Sequence, residues 1–264
     1  MKRIIVPLLF LWIAAPAQKL TNSVSPEGSV INGKLWASLY QQKSAEYRAL
    51  CLQAYNIARW RVDEALRHHS AKPYAIITDI DETILDNSPY AVHQVFRQQD
   101  YDLASWTAWT AKGIADTLSG ALGFFRYAAS HNVQVYYITN RGENERKGTL
   151  ANLRRYGFPL ADDAHLILKK DVSSKEPRRQ GVMVSHNVIL LLGDNLSDFS
   201  ALFDKRTTTD RLEATRQSAA LFGDRFIVLP NPTYGDWESA LNQYRYDLSL
   251  AQRDSVVRAN VKGY

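Results

Sequence analysis

Five short apolar runs, rich in β-branched and aromatic residues, divide this chain: YAIITDI (74–80), VQVYYITN (133–140), HLILKK (165–170), NVILLLGD (187–194) and RFIVLP (225–230). Each has the length of a buried strand and is bounded by turn-forming or polar residues. Between them the spacing turns helical, as in 119–130, in 143–156 and from Phe199 to Phe203 and beyond. Strands alternating with helices make βαβ units, and the sheet they build is mostly parallel with helices on both faces. The predicted fold class is α/β and Rossmann-like. In open sheets of this kind ligands bind beyond the carboxyl ends of the strands.

The residues at those ends carry chemistry. The first run ends in Asp79 and Asp81, the second in Thr139, Asn140 and Arg141. The third ends in Lys169, Lys170 and Asp171, with Lys175 shortly beyond, and the fourth in Asp194, Asn195 and Asp198. A solvated turn explains any one of these stretches but not all four. Asp79 and Asp81 flank a single residue, so a tight turn lets both side chains point the same way. With Asp194 they form an oxygen-rich, cysteine-free cluster that suits a hard cation such as Mg²⁺. Such an ion offsets carboxylate repulsion and leaves Asp79 ionised as a nucleophile. Asp81 is placed to protonate a leaving oxygen and then to activate water. Thr139 and Asn140 offer hydrogen bonds to anionic oxygens, and Lys175 offers a point charge. Together these are what a phosphoryl group in transfer needs.

The motifs DIDET (79–83), ITN (138–140), a lysine and GDNLSDF (193–199), in that order, resemble the four-motif pattern of haloacid-dehalogenase-like (HAD-like) phosphohydrolases with four motif aspartates. DIDETILDNSPY (79–90) and ILLLGDNLSDF (189–199) are similar to the paired signatures of class C bacterial acid phosphatases, a family that includes secreted and lipid-anchored 5′-nucleotidases. QQKSAEYRALCLQAYNIA (41–58) and FIVLPNPTYGDWE (226–238) extend the similarity, which covers about residues 35 to 240. The resemblance implies a HAD-like fold with a small, largely helical accessory or cap region. It makes Asp79 the phosphorylated nucleophile and Asp81 the general acid and base. It gives Mg²⁺ to Asp79, the Asp81 backbone carbonyl and Asp194, with Asp198 as a supporting acid beside the metal. Thr139 becomes the motif-two hydroxyl and Lys175 the motif-three lysine, with Asn140 and Arg141 beside the phosphate. Tyr234 falls where the family is expected to stack an aromatic on a nucleobase or other ring. After NSPY the family often shows an aromatic, whereas this chain reads AVHQ and offers His93, which suits an ordinary surface position.

Other features bound the setting. Lys2 and Arg3, an apolar stretch from Ile4 to Ala14 and Ala15-Pro16-Ala17 read as a signal peptide over 1–17, cleaved before Gln18. No cysteine lies there to carry a lipid, and the apolar run is short for a span of about 20 residues. The expected product is exported, periplasmic or secreted. Residues 18–34 read as an irregular arm, and 35–264 as one acid phosphatase domain: a helix over 35–70, a catalytic core over about 71–240 and a helical tail. Losing Lys2 and Arg3 leaves 30 basic against 27 acidic residues, far from a nucleic-acid-binding balance. The expected partners are small phosphomonoesters, mononucleotides among them, with no nucleic-acid polymer and no stable membrane span. A homodimer is compatible with this reading.

Cys51 is the lone cysteine, precludes an intramolecular disulfide, and reads as a small buried hydrophobe. Glu82 reads equally as a supporting carboxylate or a turn charge. Asp86 and Asn87 read as turn formers, and Trp106 and Trp109 as packing residues. His131, His165 and His186 lack partners at ligand spacing. A surface protein for haem or another ligand, with a vestigial site, is the rival from a different class, and the full set of motif acids argues against decay. The proton source at Asp81 argues against a dehalogenase.

Overall fold

The computed structural model of the chain describes residues 28–264. The signal read at 1–17 and the arm as far as residue 27 lie outside the described residues. The first helix, α1 (Ser29–Lys43), begins inside the stretch read as irregular. Tertiary contact explains the difference: Val30 and Ile31 are buried, and the Val30 amide donates to the carboxylate of Asp254 at 2.7 Å. The single helix expected over 35–70 is two helices, because Ser44 leaves helical geometry and caps α2 (Ala45–Ala65) by accepting from the Tyr47 amide. Along α2 the buried residues are Tyr47, Cys51, Ala54, Tyr55, Ala58 and Val62, one face at helical spacing. Cys51 is fully buried there, as its composition predicts.

Among the described residues seven strands follow in chain order: β1 (Tyr74–Thr78), β2 (Leu85–Asp86), β3 (Asp116–Thr117), β4 (Gln134–Ile138), β5 (Leu166–Ile167), β6 (Asn187–Gly193) and β7 (Phe226–Val228). The main sheet has the order β5-β4-β1-β6-β7 with every neighbouring pair parallel. All five apolar runs therefore become its strands, and the α/β expectation holds. HLILKK contributes only Leu166 and Ile167 to the ladder, because the chain bends at this edge and the Lys169 amide donates to the carbonyl of Arg141.

Side chains alternate across the sheet. Ile76, Val135, Tyr137, Leu190 and Leu192 pack on one face with α2 and with Phe124, Phe125 and Ala128 of α5 (Ala121–Ser130). Ala75, Ile77, Ile138 and Leu191 pack on the other with Val182 and Phe199. Each large apolar side chain so buried contributes roughly 1.5–3 kcal/mol.

From β1 the chain goes to β4 on one side and, after β5, returns to β6 on the other. This reversal opens a crevice beyond the carboxyl end of β1. The long excursion between β1 and β4 overhangs it. It holds the antiparallel β2–β3 pair, α3 (Ser88–Phe96) and α4 (Leu103–Thr110), with α1 packed on α3. This is the small helical accessory region. No described helix is long and apolar enough to cross a membrane.

Candidate active site

Asp79 is the first residue past β1, and its amide still donates to the Leu192 carbonyl of β6 at 2.9 Å. Its carboxylate meets the ammonium of Lys175 at 2.5 Å, and the same ammonium reaches Asp198 at 2.6 Å. Lys175 is buried at the start of α7 (Glu176–Ser185), so helix and strand deliver opposite charges to one point. Asp194 lies just past β6; it accepts from the Thr83 hydroxyl at 3.2 Å and from the Asn231 amide at 2.8 Å. Asp198 accepts from the Asn195 amide at 3.0 Å. It fits against β6 because Gly193 is a glycine, where a Cβ would lie 2.5 Å from that of Asp198.

Carboxylate oxygens of Asp79, Asp194 and Asp198 lie within 4.8 Å of one another. Burial, opposed by Lys175 and reinforced by Asp198 and Asp81, pushes the Asp79 carboxyl up to about 7. Burial, with Asp198 and Asp79 adding to it, drives Asp194 well above the carboxylate range. Lys175 is held above its usual value: burial works against its charge, but Asp198 and Asp79 outweigh it. One ammonium thus bridges two of three crowded carboxylates and does not neutralise the set. All-oxygen donors and a charge deficit of this size fit a hard divalent cation.

The turn after Asp79 is built on Ile80, whose carbonyl accepts from both Ile84 and Leu85 at 2.9 Å. It turns the Asp81 side chain away from the three-carboxylate cluster and onto Arg141. The guanidinium donates through Nη2 to Oδ1 at 2.7 Å, and through Nε to Oδ1 at 3.1 Å and Oδ2 at 3.2 Å. Arg141 is buried and is anchored in turn on the Thr149 hydroxyl at 3.0 Å. Asn87 adds a bond from Nδ2 to Asp81 Oδ1 at 2.9 Å.

Glu82 is buried in the left-handed region at φ 53°. It accepts from the Asn87 amide at 2.7 Å and from the Tyr234 hydroxyl. Burial, with the charge of Asp81, pushes it up to about 8.

Thr139 is fully buried at the end of β4; its hydroxyl accepts from the Arg141 amide at 3.2 Å. Asn140 is exposed, and its side-chain Oδ1 accepts from Arg178 at 2.6 Å. The same guanidinium donates to the Thr139 carbonyl at 2.6 Å, tying the motif-two loop to α7.

Residues 26–237 match the family described as HAD superfamily, subfamily IIIB (acid phosphatase). The fold superposes on the class C acid phosphatase from Bacillus anthracis with a TM-score of 0.86 at 40% identity, covering 89% of this chain and 99% of that one. A second structure of that protein has tungstate bound and matches with the same TM-score, covering 98% of its chain. A stem 31 kDa glycoprotein of Glycine max is 25% identical over 80% of this chain and 73% of its own length. Acid phosphatase 1 of Solanum lycopersicum is 29% identical over 46% of this chain and 50% of its own.

This chain belongs to the class C acid phosphatases of the HAD superfamily. It is a phosphomonoester hydrolase, and the binding-protein alternative is not favoured by these relatives.

Within this acid phosphatase the sheet edge brings Asp79, Lys175, Asp194 and Asp198 together, with Asp81 one turn away on Arg141. The side chain of Asn140 engages Arg178, and the hydroxyl of Tyr234 engages Glu82. Three participants were not read from the sequence. Asn231, which holds Asp194, lies just past β7, so reading the end of the fifth run as the other four were read finds it. Arg178 and the Asn87 contact to Asp81 have no sequence signal, since ordinary helix and turn residues look the same.

Proposed function

We propose that this acid phosphatase is an exported, Mg²⁺-dependent phosphomonoesterase that forms an aspartyl-phosphate on Asp79 and accepts 5′-nucleotides. The observation that carries this reading is the Asp79–Lys175–Asp198 contact set beside Asp194 at the carboxyl edge of a parallel sheet. Asp79, Asp194 and the Asp81 carbonyl would hold the ion, with Asp198 supporting them. Bound there, Mg²⁺ supplies positive charge that keeps Asp79 ionised and balances the phosphoryl oxygens.

An Asp79 oxygen attacks phosphorus as the ester P–O bond breaks, and the leaving oxygen takes the proton of Asp81 to depart as an alcohol. Water then gives a proton to Asp81 as it attacks the aspartyl-phosphate, and inorganic phosphate leaves with Asp79 restored. Lys175 and the Thr139 hydroxyl would hold the transferring group, a reading supported by the tungstate, a tetrahedral oxyanion, bound to the similar B. anthracis protein. The nucleotide preference rests on the family resemblance and on half-buried Tyr234 beside Glu82. Export to the periplasm or medium rests on the leader-like first 17 residues.

Phosphate release from p-nitrophenyl phosphate and AMP by Asp79→Asn is the test. The variant is expected to lose at least about a thousandfold in kcat while keeping its fold, a size typical of removing a nucleophile. Undiminished turnover would remove Asp79 from the chemistry.

A further inference from the structure

Trp109 of α4 reaches the proton donor through one intermediary. Its indole Nε1 donates to Asn87 Oδ1 at 2.8 Å, and Asn87 Nδ2 donates to Asp81 Oδ1 at 2.9 Å and to Glu82 Oε2 at 3.3 Å. An indole N–H can only donate, so it must face the oxygen of the Asn87 amide. That contact settles which end of the amide points inward: the NH₂ is turned to the two carboxylates and cannot flip without losing the indole bond. Asn87 is only 2% exposed, so no solvent would replace the lost partner.

The consequence appears in how Asp81 is held. Oδ1 takes donors from Asn87 Nδ2 and from Arg141 Nη2 and Nε, at 2.9, 2.7 and 3.1 Å, while Oδ2 has one long contact from Nε at 3.2 Å. A carboxyl gripped at one oxygen and nearly free at the other presents the free oxygen in a fixed direction. The same helix supports the second grip, because the ring of Trp106 lies 5.8 Å from the guanidinium carbon of Arg141, within cation–π range.

We infer that Trp109 is a positioning residue: through Asn87 it orients Asp81 so that Oδ2 delivers the proton to the leaving oxygen. The inference rests on Asp81 being the general acid. It goes beyond packing, for which a phenylalanine at 109 would serve as well.

Leaving groups distinguish the two roles. Dinitrophenolate departs without a proton, whereas an alkoxide needs one, so misplacement of the acid slows only the second. The first chemical step alone is read by kcat/KM, since it ends at the aspartyl-phosphate. Trp109→Phe in the full-length enzyme is expected to lower kcat/KM for an alkyl phosphate by about ten- to a hundredfold, the scale of a small misplacement. For 2,4-dinitrophenyl phosphate the change is expected to stay within about threefold, showing that fold and phosphate site survive. Asn87→Ala, which removes the donor itself, is expected to show the same selectivity. Asp81→Asn sets the reference, with a selective loss of about 10²–10⁴. If Asp81→Asn is selective while Trp109→Phe and Asn87→Ala slow both esters equally or neither, the positioning role is overturned and the acid assignment stands. If Asp81→Asn is itself unselective, the assignment of Asp81 as acid falls, and the positioning role with it.

Discussion

Asp79 and Glu82 are three residues apart, and burial raises both carboxyls, for different ends. Asp79 at about 7 waits on a cation that would restore its charge. Glu82 at about 8 is structural: it accepts from Tyr234 and Asn87 and keeps the turn shut. A free glutamate ionises near 4.5, so the raised folded value means that the stability linked to Glu82 is fully present below that pH. It is lost as pH rises through about 8. Glu82→Gln is expected to flatten the fall in Tm between these limits, so that the variant gains on the parent at alkaline pH. Thermal melts of metal-free protein at several pH values check this, and parallel curves for the two proteins would count against it. At this scale the sequence is informative only where chemistry needs a residue at a strand end. Asp79, Asp194 and Lys175 fall under that rule. The burial of Glu82 does not, because the turn that buries it is closed by Tyr234, far along the chain.

Among the elements, α4 is the one whose seating decides more than its size suggests. Its end lies against Gly148 of α6 (Arg146–Tyr156), where a Cβ would come within 2.8 Å of Ala111 Cα. That neighbour is backbone and cannot swing aside. Gly148→Ala is therefore expected to cost about 1–3 kcal/mol, as overpacking does, lowering Tm by several degrees and disturbing Trp109. A denaturation midpoint unchanged from the parent would show that α4 has room to move. Strands and helices were legible because burial imposes a period of two or of 3.6 on the residues. Their ends were not. Ser44 splits a continuous helical pattern with one capping hydroxyl, and the first turn of α1 depends on Asp254 at the other end of the chain.

The whole molecule is organised by one parallel sheet whose reversal around β1 gathers charge from four strand ends into a single crevice. Holding three carboxylates there costs stability that a bound cation returns. Mg²⁺ is expected to raise Tm, and to do so more at pH 8 than at pH 5, because protons compete for Asp79 and Asp194 as the solution acidifies. A Tm indifferent to Mg²⁺ at both pH values would speak against a resident cation in this cluster. Chelation is likewise expected to abolish phosphate release, and Mg²⁺ to restore it.

If phosphate passes through Asp79, turnover is two in-line displacements at phosphorus. The most direct measurement is the stereochemistry of a phosphorothioate monoester made chiral with oxygen-18 and hydrolysed in oxygen-17 water, because the inorganic thiophosphate released carries four different substituents on phosphorus. Two displacements predict overall retention of configuration. Inversion would mean that water attacks the ester directly and that Asp79 is never phosphorylated.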